Sequence, residues 1–233
     1  VTAINLAVQP ARRAAYIISD CAFTRPDGRI EKISGKIISF DRFPCAIAAT
    51  GNVNVAILAR ALYNLDAANL RTLVTGLQSA LKRALDETVA AAPPDAEGWA
   101  ILKVAAWCAR RKRAVGYIIA SHDDAAAAII GPGWSSYQVA EVRHSHGTHV
   151  HVSELLGRQC ELDDAATFNP EADAFALVAA QRATPQLSIT PGVDQEVPFR
   201  VGGAVELTEV TRRGVRVWLM GEFPDKVGEL IAP

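Results

Sequence analysis

Two hydrophobic periods divide the chain. Ala3–Val8 and Tyr16–Ala22 are short β-rich runs joined by a polar link with Pro10, Arg12 and Arg13, which predicts two strands and a tight connection. Pro26-Asp27-Gly28 supplies turn chemistry, since proline fixes φ and glycine is free to take a positive φ. Ile33–Phe40 and Cys45–Ala49 predict a second strand pair around Asp41–Pro44, and Gly51 ends the last of these strands. The period then lengthens. Val55, Leu58, Ala59 and Leu62 recur at helical spacing, as do Leu70, Leu73, Val74, Leu77, Leu81 and Leu85. Two amphipathic helices follow, with Asn52 or Asn54 and Asn69 as N-caps. Pro93-Pro94-Asp95 breaks the pattern, and Ile101–Ala109 and Ala114–Ser121 predict strands joined by the basic turn Arg110–Arg113, a solvated hairpin tip. Asn169-Pro170-Glu171 opens a helix that continues through Ala174, Leu177, Val178 and Gln181. Pro185–Pro198 reads as a loop. Ala204–Thr211, the turn Arg212-Arg213-Gly214 and Val215–Met220 close the chain with a strand pair.

This order of strands, helices, strands, helix and strands suits an α+β domain better than alternating βαβ units: two antiparallel sheets between helical layers, a four-layer αββα sandwich. One domain over 1–233 is expected, with an insertion around 138–167. Lys and Arg number 24 against 25 Asp and Glu, a formal charge of −1, and half of the residues are hydrophobic. The charge balance argues against nucleic acid as a partner, and the apolar fraction excludes disorder. The apolar runs Ala14–Ile18 and Ala125–Ile130 are strand-sized, so no membrane span is expected. Val1–Leu6 lacks a basic region and an apolar core of signal length, which makes the cytoplasm the expected location. Cys21, Cys45, Cys108 and Cys160 lack CxxC spacing and read as buried thiols. Trp99, Trp107, Trp134 and Trp218 read as core or interface anchors. Nucleotide-loop, GxSxG and HExxH motifs are absent.

One ordered set of motifs carries more. A near-terminal Thr2 opens the first strand, the second ends Ile17-Ile18-Ser19-Asp20, and Gly35-Lys36-Ile37-Ile38 follows. Ala46-Ile47-Ala48-Ala49-Thr50-Gly51 then runs into an amphipathic helix. Together these residues resemble a proteasome β-type N-terminal nucleophile (Ntn) hydrolase. The resemblance extends to Ile129–Tyr137, similar to the family's glycine-and-serine turn before its third helix, to the helix Asn169–Ala183, and to Val201–Leu207 with its closing hairpin. It implies a threonine-type peptidase or amidase acting on a peptide or small amide without a cofactor, and a homo-oligomer.

The chemistry of such a site has its own logic. A threonine hydroxyl is a weak nucleophile, and an N-terminal residue carries its own base, an α-amine of pKa about 8. The resemblance implies that Thr2 is nucleophile and base together. Lys36 places a positive charge beside the hydroxyl, and Asp20 pairs with and orients that ammonium. The Gly51 N–H faces the developing oxyanion, a donor worth roughly 2.7–4 kcal/mol. Ser136 matches the family's supporting serine. A blocked amine cannot serve as base, so this reading requires Val1 to be removed, as an initiator or a propeptide residue. Pro198 and Val201 stand where the family carries an Asp and a Ser before its paired glycines, here Gly202-Gly203, with Asp194 a substitute.

Each residue also has a plainer reading. Thr2 can be a β-former, Asp20 a strand-end turn residue and Lys36 a surface charge. Gly51 can merely permit a turn, and Ser135 and Ser136 can cap a helix. A catalytically inactive Ntn-fold structural or interaction protein is the corresponding alternative. His144, His146, His149 and His151 form a separate group: the i, i+2 spacing places each pair on one face of a strand, which suits either an exposed hairpin turning at Gly147-Thr148 or a metal site.

Overall fold

A computed structural model describes residues 3–25, 27–92, 98–184, 186–187, 196–197 and 201–232. The fold is mixed α+β. β1 (Ile4–Gln9) and β2 (Ala14–Asp20) are joined by a single 3-10 turn at Pro10–Arg12, closed by Arg13 at φ 54°. They form an antiparallel sheet with β13 (Ala204–Thr211), β14 (Gly214–Glu222) and the short β10 (His144–Ser145), in the order β10-β1-β2-β13-β14. A second antiparallel sheet runs in sequence order through β5 (Ile37–Phe40), β6 (Cys45–Gly51), β7 (Ala100–Cys108), β8 (Arg113–Ala120) and β9 (Ala140–Val142). Two small ladders accompany them: β3 (Ala22–Thr24) with β4 (Ile30–Ile33), and β11 (Gln186–Leu187) with β12 (Glu196–Val197).

Strand alternation sorts the core. On β6, Cys45, Ile47 and Ala49 face α1 (Val55–Tyr63) and α2 (Leu70–Ala90), packing on Leu58, Leu62, Leu73 and Leu77. Ala46 and Ala48 point the other way and, with Ala105 and Trp107 of β7, meet Ile4, Leu6 and Val8 of β1. The two sheets therefore share an apolar seam, in which the larger side chains of β1 and β2 meet the alanines of β6, β7 and β8 and Trp107. A Cβ added to Gly116 would come within 2.8 Å of the Val142 carbonyl of the neighbouring strand and 2.9 Å of the Val8 side chain from the facing sheet, so β1 side chains fill the space a side chain there would need. The opposite face of the first sheet, through Ala7, Tyr16, Ile18 and Leu207, packs on Leu177 and Val178 of α5 (Pro170–Ala183).

The helix caps form at Asn54, Asn69 and Asn169, and Asn69 and Thr72 complete a capping box. Other expectations are corrected. Ile33–Phe40 is two strands, because β4 leaves to pair with β3 and Ser34-Gly35-Lys36 crosses over the end of β2, where the Ser34 N–H donates to the Cys21 carbonyl at 3.0 Å. The Ala125–Ile130 run lies in a helix, α3 (Asp123–Ile129), and its continuation. Within the segment expected as a loop at Pro185–Pro198, Gln186–Leu187 and Glu196–Val197 pair as β11 and β12, and its other residues lie outside the described ones. Cys108 is half-buried while the other three thiols are buried. Trp134 is exposed, so it is not a core anchor. The basic turn is tied down, since Arg111 and Arg113 both pair with Glu141 of β9. Pro26 and Pro93-Pro94-Asp95 lie outside the described residues. Among the described residues no helix is long and apolar enough to cross a membrane.

Candidate active site

At one end of the paired sheets, β2 finishes on Asp20, whose side chain is wholly buried. Its Oδ1 accepts the Lys36 ammonium at 2.9 Å and the Ala3 N–H at 3.1 Å, while Oδ2 accepts the Gly202 N–H at 3.2 Å. The Asp20 N–H returns a bond to the Ala3 carbonyl at 3.1 Å. Lys36 is 1% exposed, so the surface-charge reading is corrected. It reaches the site because it directly precedes β5, where Ile37 pairs with Ala48 of β6. Burial raises the Asp20 carboxyl above its ordinary range, and the Lys36 charge and the Gly202 N–H oppose that shift. Removing two charges from water costs several kcal/mol per ion, offset only by close pairing and further hydrogen bonds; the Asp20 carboxylate has both.

Gly51 ends β6 at φ +123°, a conformation that excludes L side chains, and a Cβ there would lie 2.2 Å from the Trp99 carbonyl oxygen. The turn that follows is pinned by Asn52, whose N–H donates to the same carbonyl at 3.0 Å, and by the Asn54 cap of α1. Ser136 lies near the end of β8. Its N–H donates to Asp123 Oδ1 at 2.6 Å, which holds that carboxyl below the usual range. The next residue, Tyr137, has φ 61° and donates its N–H to Ala120. No helix starts here: the chain enters β9, so the capping reading and the expected turn before a helix are both corrected. No hydrogen bond among the described residues links Ser136 to Asp20 or Lys36. Val1, Thr2, Asp194 and Pro198 lie outside the described residues. Val201 is 1% exposed and belongs to the apolar cluster on α5.

Sequence reasoning missed three features of this end. Arg182 of α5 and Asp225 form a bidentate pair, with both bonds at 2.7 Å. Asp225 Oδ2 also accepts the Gly203 N–H at 2.7 Å, and Arg182 donates to the Val201 carbonyl at 3.0 Å. The pair thereby clamps the turn that presents the Gly202 N–H to Asp20. Second, Lys103 of β7 is buried with its Nζ donating to the carbonyls of Ile4 at 2.5 Å and His146 at 2.6 Å, and burial pulls its pKa down to about 7. Third, the inter-sheet space becomes polar, because Ser19 and Thr50 bury hydroxyls that lack a hydrogen-bond partner among the described residues. Period-2 alternation could have found this last feature, since Ser19 follows Ile17 and Thr50 follows Ala48 on the inward face.

The histidine segment is not a hairpin. β10 pairs with β1, Gly147 donates its N–H to Asn5 at 2.7 Å, and His151 caps the short helix α4 (Val152–Leu155). The His144, His146 and His151 rings lie in a row with centroids 5.4 and 5.0 Å apart. His144 Nδ1 meets Asp163 at 3.1 Å. Among the described residues no group of three or more His, Cys, Asp or Glu is placed to hold a metal ion. No family model matches this chain, and no curated protein matches it at a significant level.

Proposed function

We propose that the chain is an N-terminal nucleophile amide hydrolase on a four-layer αββα sandwich, with Thr2 as its nucleophile. The observation that carries this reading is the buried Asp20–Lys36 pair, bonded through the same carboxylate to the N–H of Ala3, the residue that follows Thr2. An interior ion pair adds little to stability alone, and in the proposed mechanism the Lys36 ammonium is the fixed positive charge that eases loss of the Thr2 hydroxyl proton. In the proposed reaction the Thr2 α-amine takes the hydroxyl proton as the oxygen attacks the substrate carbonyl. The Gly51 N–H stabilises the oxyanion, the C–N bond breaks, and the leaving amine accepts the proton from the α-ammonium. Water, deprotonated by the same amine, then hydrolyses the ester and regenerates the hydroxyl. Peptides and small amides both satisfy this chemistry.

Intact-mass analysis before and after treatment with a β-lactone tests it. The expected result is a mature chain beginning at Thr2 that gains one adduct, mapped to Thr2 and absent in Thr2→Ala. A chain that retains a residue before Thr2 and takes no adduct overturns the hydrolase reading. That outcome would leave a catalytically silent member of the fold, the reading favoured by Val201, whose apolar side chain offers no hydroxyl to support a nucleophile.

A further inference from the structure

The molecule's other end carries a second candidate site. β13 pairs with β2 in a register that sets Val210 against Ala15, so the β1–β2 and β13–β14 turns lie side by side. Between them opens a cleft of about 380 Å³. Arg12 and Arg13 line one wall, Arg212, Arg213 and Arg216 the other. The single carboxylate in the lining, Glu209, already accepts the Tyr16 hydroxyl at 3.3 Å. Among the described residues none of these five arginines enters an ion pair. In a chain of net charge −1 this is a marked segregation: five guanidiniums surround one carboxylate, Glu209, which stands opposite Arg216 in the β13–β14 register, and the excess positive charge attracts a further anion.

Arg13 adds a second observation. Its left-handed backbone, φ 54° and ψ 39°, is uphill for a residue with a side chain, and it sets the guanidinium 5.7 Å over the Trp107 ring at the floor of the cleft. Arginine forks match phosphate oxygens two bonds at a time. Trp107, only 8% exposed, offers no free face on which a base could stack. The volume is at the small end of ligand sites, large enough for a short run of phosphates.

We propose that this cleft binds a compact oligophosphate, two or more linked phosphates, either free or as the tail of a nucleotide. The site is independent of the hydrolase reading, because Asp20 and Gln9 lie at opposite ends of the β1–β2 pair. Calorimetric titration of the full chain at low ionic strength with tripolyphosphate should give a Kd of about 1–100 μM. Orthophosphate should bind at least about tenfold more weakly, for lack of linked charges. Arg13→Asn, which keeps a residue tolerant of the left-handed backbone, combined with Arg213→Gln should weaken tripolyphosphate about tenfold or more without moving the thermal midpoint. ATP binding as tightly as tripolyphosphate identifies a nucleotide tail as the source, and ATP binding more weakly identifies free oligophosphate. Binding absent below about 1 mM, or unaltered in the double variant, overturns the proposal. So does tighter binding of a single-stranded oligonucleotide of about 20 bases, which would assign the arginines to a nucleic-acid surface.

Discussion

Lys36 and Lys103 bury the same ammonium group in two ways. Lys36 meets a carboxylate; Lys103 meets main-chain carbonyls, and burial pulls its pKa down to about 7. Beside Lys103, His146 is pulled down to about 4, by burial first and then by the neighbouring His144, His151 and Lys103 charges, with Asp163 opposing. Its folded pKa lies below the ordinary value of 6.5, so the unfolded chain takes up the proton first. The stability it contributes is complete above pH 6.5 and is lost as pH falls towards 4, about 2–3 kcal/mol once its partial exposure is discounted. Urea titrations at several pH values across that window should show a shallower loss in His146→Gln than in the parent. An identical slope would remove His146 as the source. At this scale the sequence was informative where chemistry is local: Asp20, Lys36 and Gly51 sit at strand ends that punctuation residues mark. It was silent on Lys103, a lone cation in an apolar run, because only the fold brings Ile4 and His146 to it.

Among the elements, helices read well and pairings read poorly, for a physical reason. α1, α2 and α5 announce themselves through caps and a stripe contained within each segment. The histidine segment failed as a hairpin because its partner is β1, more than a hundred residues away, and no local spacing encodes that. Arg182 and Asp225 are separated in the same way, one at the end of α5 and one after β14. Their clamp on Gly202-Gly203 makes a measurable claim. Breaking one side leaves a buried charge, so Asp225→Asn and Arg182→Met should each lose about 3–5 kcal/mol. The double variant should lose much less than the sum, with a coupling of about 2 kcal/mol or more in urea denaturation. Additive losses would show that the two side chains act separately and that the turn is held by something else.

For the molecule as a whole, alternation within strands made the two-faced sheets legible and marks the polar end of their seam at Ser19 and Thr50, while the arginine cleft at the other end is a product of topology. Four of the cleft's five arginines belong to turns at residues 10–13 and 211–214 and Arg216 follows on β14; the two groups are distant in sequence and adjacent only because β13 lies against β2. Lysine placement has a practical consequence. Lys32, Lys82, Lys112 and Lys226 are exposed, whereas Lys36 and Lys103 are enclosed. An acetylating reagent applied at mild alkalinity should therefore mark the outer amines and spare the inner pair, read peptide by peptide in a mass spectrometer. Once heating lets the reagent reach Lys103, the sheets have parted; tagging of Lys103 as fast as Lys82 in the cold would mean that they were never closed.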